Sequence, residues 1–348
     1  MRPLGIPAYE DKIVQLGLNK ILQSIYEQDF LQYSFGFRPK RSCHDALREL
    51  NQVIEKGKIS YVVDADIKGF FNHVDHEWLM KFIAWRVEDP NIQKLIKKFL
   101  KAGIMEKGQF EETEEGTPQG AIISTVLANI YLQHALVLWF RVDVRYACKG
   151  HAEMVRYADD FVCCFQFKSD AERFYAALLQ RLAKFHLQIA EDKTKILMFG
   201  RFAEENCKKQ GVGKPRTFDF LGFTHYCSKG RNGNFRVKRK TSSKKFKAKV
   251  KDFKLWIKSE RNQDLKQLMK TVRAKLMGHY RYYGITDNSR MIGTYRHHVL
   301  KMLYKWLNRR SQRRSFSAVN FKLFLKRNPV PDAKIYVSIY NSSIANRP

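Results

Sequence analysis

Residues 156–165 read Arg-Tyr-Ala-Asp-Asp-Phe-Val-Cys-Cys-Phe, two adjacent carboxylates followed at once by an apolar, β-prone run. The run predicts a strand, with Tyr157–Asp160 as the turn at the tip of a β-hairpin. Leaving unpaired charge beside a buried strand is unfavourable. A divalent cation removes the difficulty, since hard Mg²⁺ takes oxygen ligands and neutralises the repulsion between the acids. A plain solvated turn stands beside that reading, because Asp hydrogen-bonds its own backbone in tight turns. A third carboxylate on a separate strand, together with a place for nucleic acid, separates the two.

The third carboxylate is present. Residues 64–72, Asp-Ala-Asp-Ile-Lys-Gly-Phe-Phe-Asn, close an apolar stretch that predicts a strand over 59–67. A period of two puts Asp64 and Asp66 on one face. Asp66 lies just before Gly69, where the strand yields, and can project from a sheet end toward Asp159 and Asp160. Two strands each offering an acid could hold two Mg²⁺ ions about 3.5–4 Å apart, the arrangement used for in-line displacement at phosphorus. Between these acids, Gly116-Thr117-Pro118-Gln119-Gly120 opens a run free of formal charge from Ala121 to Phe140. Glycine lets a backbone approach a ligand closely, and Gln119 supplies uncharged hydrogen-bonding groups. An ordinary helix-start turn reads equally well there.

The composition points to a polyanionic partner. The chain has 348 residues, 64 Lys and Arg against 34 Asp and Glu, and a net charge of +30. Such an excess suits phosphate neutralisation and counterion release, while a hydrophobic share of 44% marks a globular chain. Six cysteines show neither paired spacing nor clustering with histidine, which argues for reduced thiols rather than zinc. The first residues contain no signal peptide. The uncharged run 121–140 is long enough for a membrane span, but Ser124, Thr125, Asn129, Gln133 and His134 within it favour a helix buried beneath a sheet.

The charge is unevenly spread: residues 229–314 carry 27 basic and 4 acidic side chains. The change begins at the Gly-rich stretch 228–234, which reads as a loop or hairpin at a domain boundary. Before it, strands alternate with helices. Helical material is expected over 76–102 and 169–185, and short strands at 187–189 and 195–199, an α+β arrangement in which helices cover a carboxylate-bearing sheet. Beyond about 242 the pattern is helical. Phe246, Val250, Phe253, Leu255 and Ile257 form one apolar stripe among lysines, and Leu265, Leu268, Met269, Val272 and Leu276 another. Tyr280, Tyr282 and Tyr283 interleave with His279 and Arg281, a mixture suited to RNA, where stacking and phosphate contacts combine.

The ordered set of blocks resembles the group II intron-encoded reverse transcriptase/maturase family over nearly the whole chain. Arg2–Pro7 and Ser34–Pro39 resemble its fingers blocks, Asp66–Phe71 its first catalytic block, and Thr117–Gly120 its template–nucleotide block. Tyr157–Asp160 resembles its catalytic hairpin, Lys193–Lys195 and Phe220–Phe223 later palm motifs, and Tyr280–Tyr283 with Trp306–Ser311 its maturase domain. The resemblance implies a right-hand polymerase: fingers and palm with an antiparallel sheet over 1–227, a basic linker or hairpin over 228–241, a helical maturase (X/thumb) domain over 242–325, and a tail over 326–348. It implies Asp66, Asp159 and Asp160 as catalytic residues and ligands of two Mg²⁺ ions. Phe71 would crowd a ribose 2′-hydroxyl, Gln119 would contact the incoming nucleotide, and Arg38 and Arg41 its triphosphate. Leu221 and Gly222 would form a primer grip. Lys244, Lys245, Arg281, Tyr282, Arg309 and Arg310 would bind RNA. The implied activity is RNA-directed DNA polymerisation with intron splicing and retrohoming. The implied partners are intron RNA, an RNA template, a DNA primer or target and deoxynucleoside triphosphates, in the bacterial cytoplasm near the nucleoid and without a membrane.

Three departures accompany the resemblance. Position 72 is Asn where the family usually has Asp. The chain opens almost at the first fingers block, which suggests a truncated or shortened form. No Cys/His-rich nuclease motif occupies the last forty residues, so no endonuclease domain is expected. An RNA-binding splicing cofactor that has lost or does not need polymerisation is the alternative. A retron-type or diversity-generating reverse transcriptase generally lacks the maturase-like tail, and Phe71 disfavours an RNA-dependent RNA polymerase.

Overall fold

Tyr61-Val62-Val63-Asp64-Ala65-Asp66 is rich in β-formers and alternates in burial, and it forms strand β1 (Tyr61–Asp66). A computed structural model describes residues 5–106, 109–111, 115–117, 120–310 and 315–340 of the chain. Strands β2 (Ile104–Glu106) and β3 (Gln109–Glu111) make a small separate ladder. Strands β4 (Ala152–Tyr157), β5 (Asp160–Phe165) and β6 (Lys195–Met198) join β1 in a four-stranded antiparallel sheet of order β4-β5-β1-β6. The chain divides into two compact units, 1–216 and 217–348.

In the first unit the two faces of the main sheet differ. Val63, Ala65, Met154, Phe161, Cys163 and Phe165 enter the hydrophobic core. The helix Ser124–Leu132 joins that core and is buried on nearly every side, as expected of a helix apolar all round. It continues through π-helical turns at Gln133–Val137 and Phe140–Val144. The uncharged run is therefore an interior element. Among the described residues no helix is long and apolar enough to cross a membrane.

The helical material expected over 76–102 is two helices, His76–Ala84 and Pro90–Leu100, each opened by an Asp cap, Asp75 and Asp89. The helix Lys168–Lys184 matches the 169–185 pattern. The strand expected at 187–189 is not formed. Ile189 makes one bridge to Ile67, and Lys68 and Ala190 donate to the Gln188 and Asp66 carbonyls at 2.8 Å each. These bonds tether a crossing segment without building a ladder.

The second unit opens with an antiparallel meander of strands β7 (Phe218–Phe220), β8 (Phe223–Lys229) and β9 (Phe235–Thr241). Residues 228–241 are the end of β8, its turn and β9. Helices Ser243–Glu260, Leu265–Tyr283, Ser289–Leu307 and Ala318–Arg327 follow. Asn288 joins sheet to helices: its Oδ1 accepts from Thr241 N at 2.8 Å, and its Nδ2 donates to the Tyr283 carbonyl at 2.7 Å. On Ser243–Glu260 only Phe253 and Ile257 are buried. Leu255, expected in the stripe, is 56% exposed, because two residues from Phe253 is about 200° around the helix.

Candidate active site

Asp66 is the last residue of β1, and its Cα partner on β5 is Asp160. Directly opposed residues in an antiparallel pair present their side chains to the same face, with Cβ atoms about 4.5–5.5 Å apart. Asp64, two residues earlier, faces Val162 on one side and Lys195 on the other. The carboxylates therefore share the face opposite the core. Like charges so placed repel, and one cation already answers part of that charge: Lys193 Nζ donates to Asp66 Oδ2 at 2.9 Å.

Asp159 stands in the turn between β4 and β5, where Tyr157 pairs with Asp160. Ala158, the first central residue of this two-residue loop, has φ +57°. A positive φ at that position alone is the pattern of a type II′ hairpin, where glycine is the usual occupant. An alanine there is strained by roughly 1–3 kcal/mol and persists only if its surroundings hold it. They do. Arg156 Nη1 donates to the Ala158 carbonyl at 2.7 Å and to Asn129 Oδ1 at 3.2 Å. Its Nη2 and Nε donate to Ser34 Oγ at 2.6 and 3.1 Å. The backbones of Tyr33, Phe35 and Arg156 exchange further bonds at 2.8 and 2.9 Å. Gly36 lies so close that a Cβ on it would sit 2.3 Å from Ala158 N.

Arg156 is fully buried. Burial first, and then the neighbouring Arg38 charge, push its pKa down to about 9, while the Asp159 carboxylate acts in the opposite sense. A guanidinium remains charged at neutral pH, so this group places a fixed positive charge beneath the acidic turn. The sequence reading missed it. The signal was there: Arg156 shares parity with Ala152 and Met154, both core residues, and a charge at core parity needs partners.

Phe71 lies in the 3₁₀ turn Phe70–Asn72, entered through Gly69 at φ +57°. Its carbonyl accepts from Thr117 N at 2.7 Å, while Gly116 N donates to the Val74 carbonyl at 2.8 Å. Gly116, at φ +86°, leaves no room for a Cβ, which would meet Asn72 O at 2.8 Å and Phe71 O at 2.9 Å. The start of the 116–120 block is thus docked on the residues following β1. Gln119 and Pro118 fall outside the described residues, as do Arg2–Leu4 and Ser311 of the motifs quoted above.

The arginines of the second fingers block are committed elsewhere. Arg38 is buried; its Nη2 and Nε bind Glu27 at 2.6–3.1 Å, and its Nη1 donates to the Leu31 and Ser34 carbonyls. Arg41 Nη1 donates to the Gln32 and Ser34 carbonyls at 3.1 and 3.3 Å. Burial, and then Arg38, lowers the pKa of Arg41. With Arg156, these side chains converge on Ser34.

Leu221 and Gly222 belong to the second unit, in the β7–β8 turn. Both have positive φ, +50° and +78°, the type I′ hairpin pattern. Tyr282 Oη donates to the Leu221 carbonyl at 2.9 Å, and its ring stacks on Phe223 at 5.9 Å. Lys244 and Lys245 are exposed in the first turn of Ser243–Glu260, and Arg281 is exposed on Leu265–Tyr283. The guanidinium of Arg309 lies 5.6 Å from the Trp306 ring, which Arg261 and Lys305 also approach, at 5.5 and 5.9 Å. Arg310 Nη2 donates to the Gln263 carbonyl.

The donor chemistry of the palm face, hard carboxylate oxygens on adjacent strand ends, fits a divalent cation. As the side chains stand, the described residues include no group of three or more His, Cys, Asp or Glu converging on one point. The Lys193 ammonium on Asp66 is the positive charge found there instead.

Comparison with known proteins bears on what such a face belongs to. Residues 1–225 match the family model described as "Reverse transcriptase (RNA-dependent DNA polymerase)". Residues 243–324 match "Group II intron, maturase-specific domain". Over 132 residues, 38% of the chain, the sequence is 49% identical to "Group II intron-encoded protein LtrA" of Lactococcus lactis subsp. cremoris, covering 22% of that protein. Over 135 residues it is 41% identical to "Protein YkfC" of Escherichia coli (strain K12), covering 35% of that protein. The matched stretches thus span between a fifth and about a third of these relatives' own length. Among solved structures, apo telomerase from Candida tropicalis superposes with a TM-score of 0.50 at 13% identity, covering 90% of this chain and 52% of the telomerase chain. That likeness concerns the fold: an α+β polymerase of the reverse-transcriptase type.

Proposed function

The chain belongs to the group II intron reverse transcriptase/maturase family, and from that premise we propose that it is an RNA-directed DNA polymerase that also binds and helps splice its intron RNA. The observation that carries the reading is the placement of Asp66 directly opposite Asp160, with Asp159 in the adjoining turn, on the open face of an otherwise core-forming sheet. Acids paired across two strands serve no packing purpose and repel unless a cation joins them.

The family's fold implies a divalent metal, and Asp66, Asp159 and Asp160 are the residues that would hold it as a pair of Mg²⁺ ions. Bound there, the pair would supply activation of the primer 3′-hydroxyl and neutralisation of charge on the departing pyrophosphate. The chain's own groups do the rest. Arg156 and Gly36 hold the turn that presents Asp159. Phe71, half-exposed beside the end of β1, would narrow the space at the nucleotide sugar and favour deoxynucleotides. Gln119 would contact the incoming nucleotide. Leu221 and Gly222, set by Tyr282, would hold the primer. Arg38 is already fully engaged with Glu27 and backbone carbonyls, so its part is to brace the 27–41 segment. In retrohoming, the template would be the intron's own RNA, copied beside nucleic acid in the cytoplasm.

A maturase role is favoured by a separate observation, the basic helical unit that begins at Ser243. Lys244, Lys245, Arg281 and the Arg309–Arg310 pair would contact RNA phosphates.

Primer extension on an RNA template with deoxynucleoside triphosphates tests the polymerase reading. Asp159→Asn is expected to abolish extension while leaving RNA retention on a filter intact. An Asp159→Asn protein that still extends primers overturns the assignment. A splicing assay with the same variant separates the second activity.

A further inference from the structure

Helices Ser243–Glu260, Leu265–Tyr283 and Ser289–Leu307 enclose a cavity of about 500 Å³, in the size range that accepts compact organic ligands. Phe253, His279, Tyr282, Tyr283 and Tyr295 supply aromatic walls, with Lys249, Lys275 and Asp252 among the lining side chains. His279 is 7% exposed, and neither of its ring nitrogens has a hydrogen-bond partner among the described residues. Its ring stacks on Tyr295 at 3.8 Å and lies 4.7 Å from Tyr283. Burial, and then the Lys249 charge, lower its pKa to about 4. At neutral pH it is an uncharged ring with one N–H donor and one acceptor nitrogen, both buried and unanswered, which is unfavourable unless something arrives to pair with them.

We propose that this cavity is a receptor for one unstacked nucleobase of bound single-stranded RNA, with Lys249 and Lys275 on the flanking phosphates. The proposal rests on the RNA-binding reading above and deepens it. Aromatic walls accept the flat face of any base. A base edge offers the donors and acceptors that the His279 nitrogens lack, and the Asp252 carboxylate can accept from an exocyclic amine or a 2′-hydroxyl. The unit's strong positive charge selects a polyanion over an uncharged aromatic ligand.

Gly278 provides the test. It lines the cavity, and a Cβ on it would meet nothing within 4 Å. Gly278→Met therefore extends a side chain into open space and replaces a helix-interior glycine, which favours folding. End-labelled single-stranded RNA, roughly a dozen nucleotides long, is titrated with the full chain by fluorescence anisotropy. A second RNA of equal charge carries abasic positions. Wild type is expected to bind the intact RNA roughly tenfold more tightly than the abasic one, the effect of stacking one base. Gly278→Met is expected to lose most of that tenfold. His279→Phe, which keeps a ring and removes both nitrogens, is expected to bind intact RNA several-fold more weakly. Equal affinity of wild type for both RNAs, or unchanged discrimination in Gly278→Met, overturns the pocket while leaving RNA binding in place. Absence of any salt-dependent affinity of wild type for either RNA overturns the underlying RNA-binding reading.

Discussion

Arg156 and Ser34 stand 122 positions apart in the chain, yet two guanidinium nitrogens of one donate to the hydroxyl of the other at 2.6 and 3.1 Å. Through Arg156 that contact reaches the Ala158 carbonyl, so a fingers residue helps set the conformation of the turn that carries Asp159. Replacing Arg156 by Met leaves the Ser34, Asn129 and Ala158 oxygens without their charged donor. The expected loss is about 2–4 kcal/mol, read as a lower urea midpoint. Primer extension should fall further than stability alone explains, because Ala158 is then free to leave its strained φ.

Gly36→Ala tests the same turn from the other side. Its Cβ would lie 2.3 Å from a backbone nitrogen rather than from a yielding side-chain tip. The turn must move, at about 1–3 kcal/mol, and extension should drop sharply while filter retention of RNA stays near wild type.

Lys193→Gln removes the ammonium from Asp66. Both partners are well exposed, 61% and 43%, so stability should change by less than about 1 kcal/mol. Mn²⁺ binding measured by calorimetry should become tighter, since a competing cation has gone. Weaker Mn²⁺ binding would argue that Lys193 organises the acids rather than competes for them.

Phe71→Ala should widen the nucleotide site beside Asp66. Ribonucleotide incorporation relative to deoxynucleotide incorporation is expected to rise by roughly 10–100-fold, the scale of a steric pocket change. Single-nucleotide extension with each substrate checks this.

Acid should destabilise the second unit through its buried histidines. Burial, and then the neighbouring Arg239, hold the pKa of His225 well below 6.5, and His279 is lowered to about 4. In the unfolded chain both titrate near 6.5, so between about 4 and 6.5 the unfolded state binds more protons. Their contribution is complete above the unfolded pKa and declines as pH falls through that window. Urea midpoints at pH 7.5 and 5 should differ less in His279→Phe than in wild type.

Much of the palm is legible in its residues. The parity of Asp64 and Asp66, the hairpin at Tyr157–Asp160 and the interior helix after Ser124 follow from local alternation and from the absence of charge. What the residues could not show is that Asp66 pairs with Asp160, because register joins segments about ninety positions apart. Nor could they show that Arg38 is engaged by Glu27, or that residues 187–189 stop at a single bridge. Leu255 fails as a core residue for a reason already present in its sequence position, the angular period of the helix. Arg156 was the missed opportunity, a charge placed at core parity.

The sequence by itself determined the inventory: acids on apolar strands, a basic aromatic-rich second half, and block order sufficient to identify the family. These are properties of neighbouring residues and of composition, and they need no knowledge of what lies across the fold. The tertiary structure alone decided which groups meet: Asp66 with Asp160 and Lys193, Arg156 with Ser34, and His279 with an open cavity. Such meetings depend on long-range register and burial, where many weak contacts must be satisfied together, and no short window of sequence contains them.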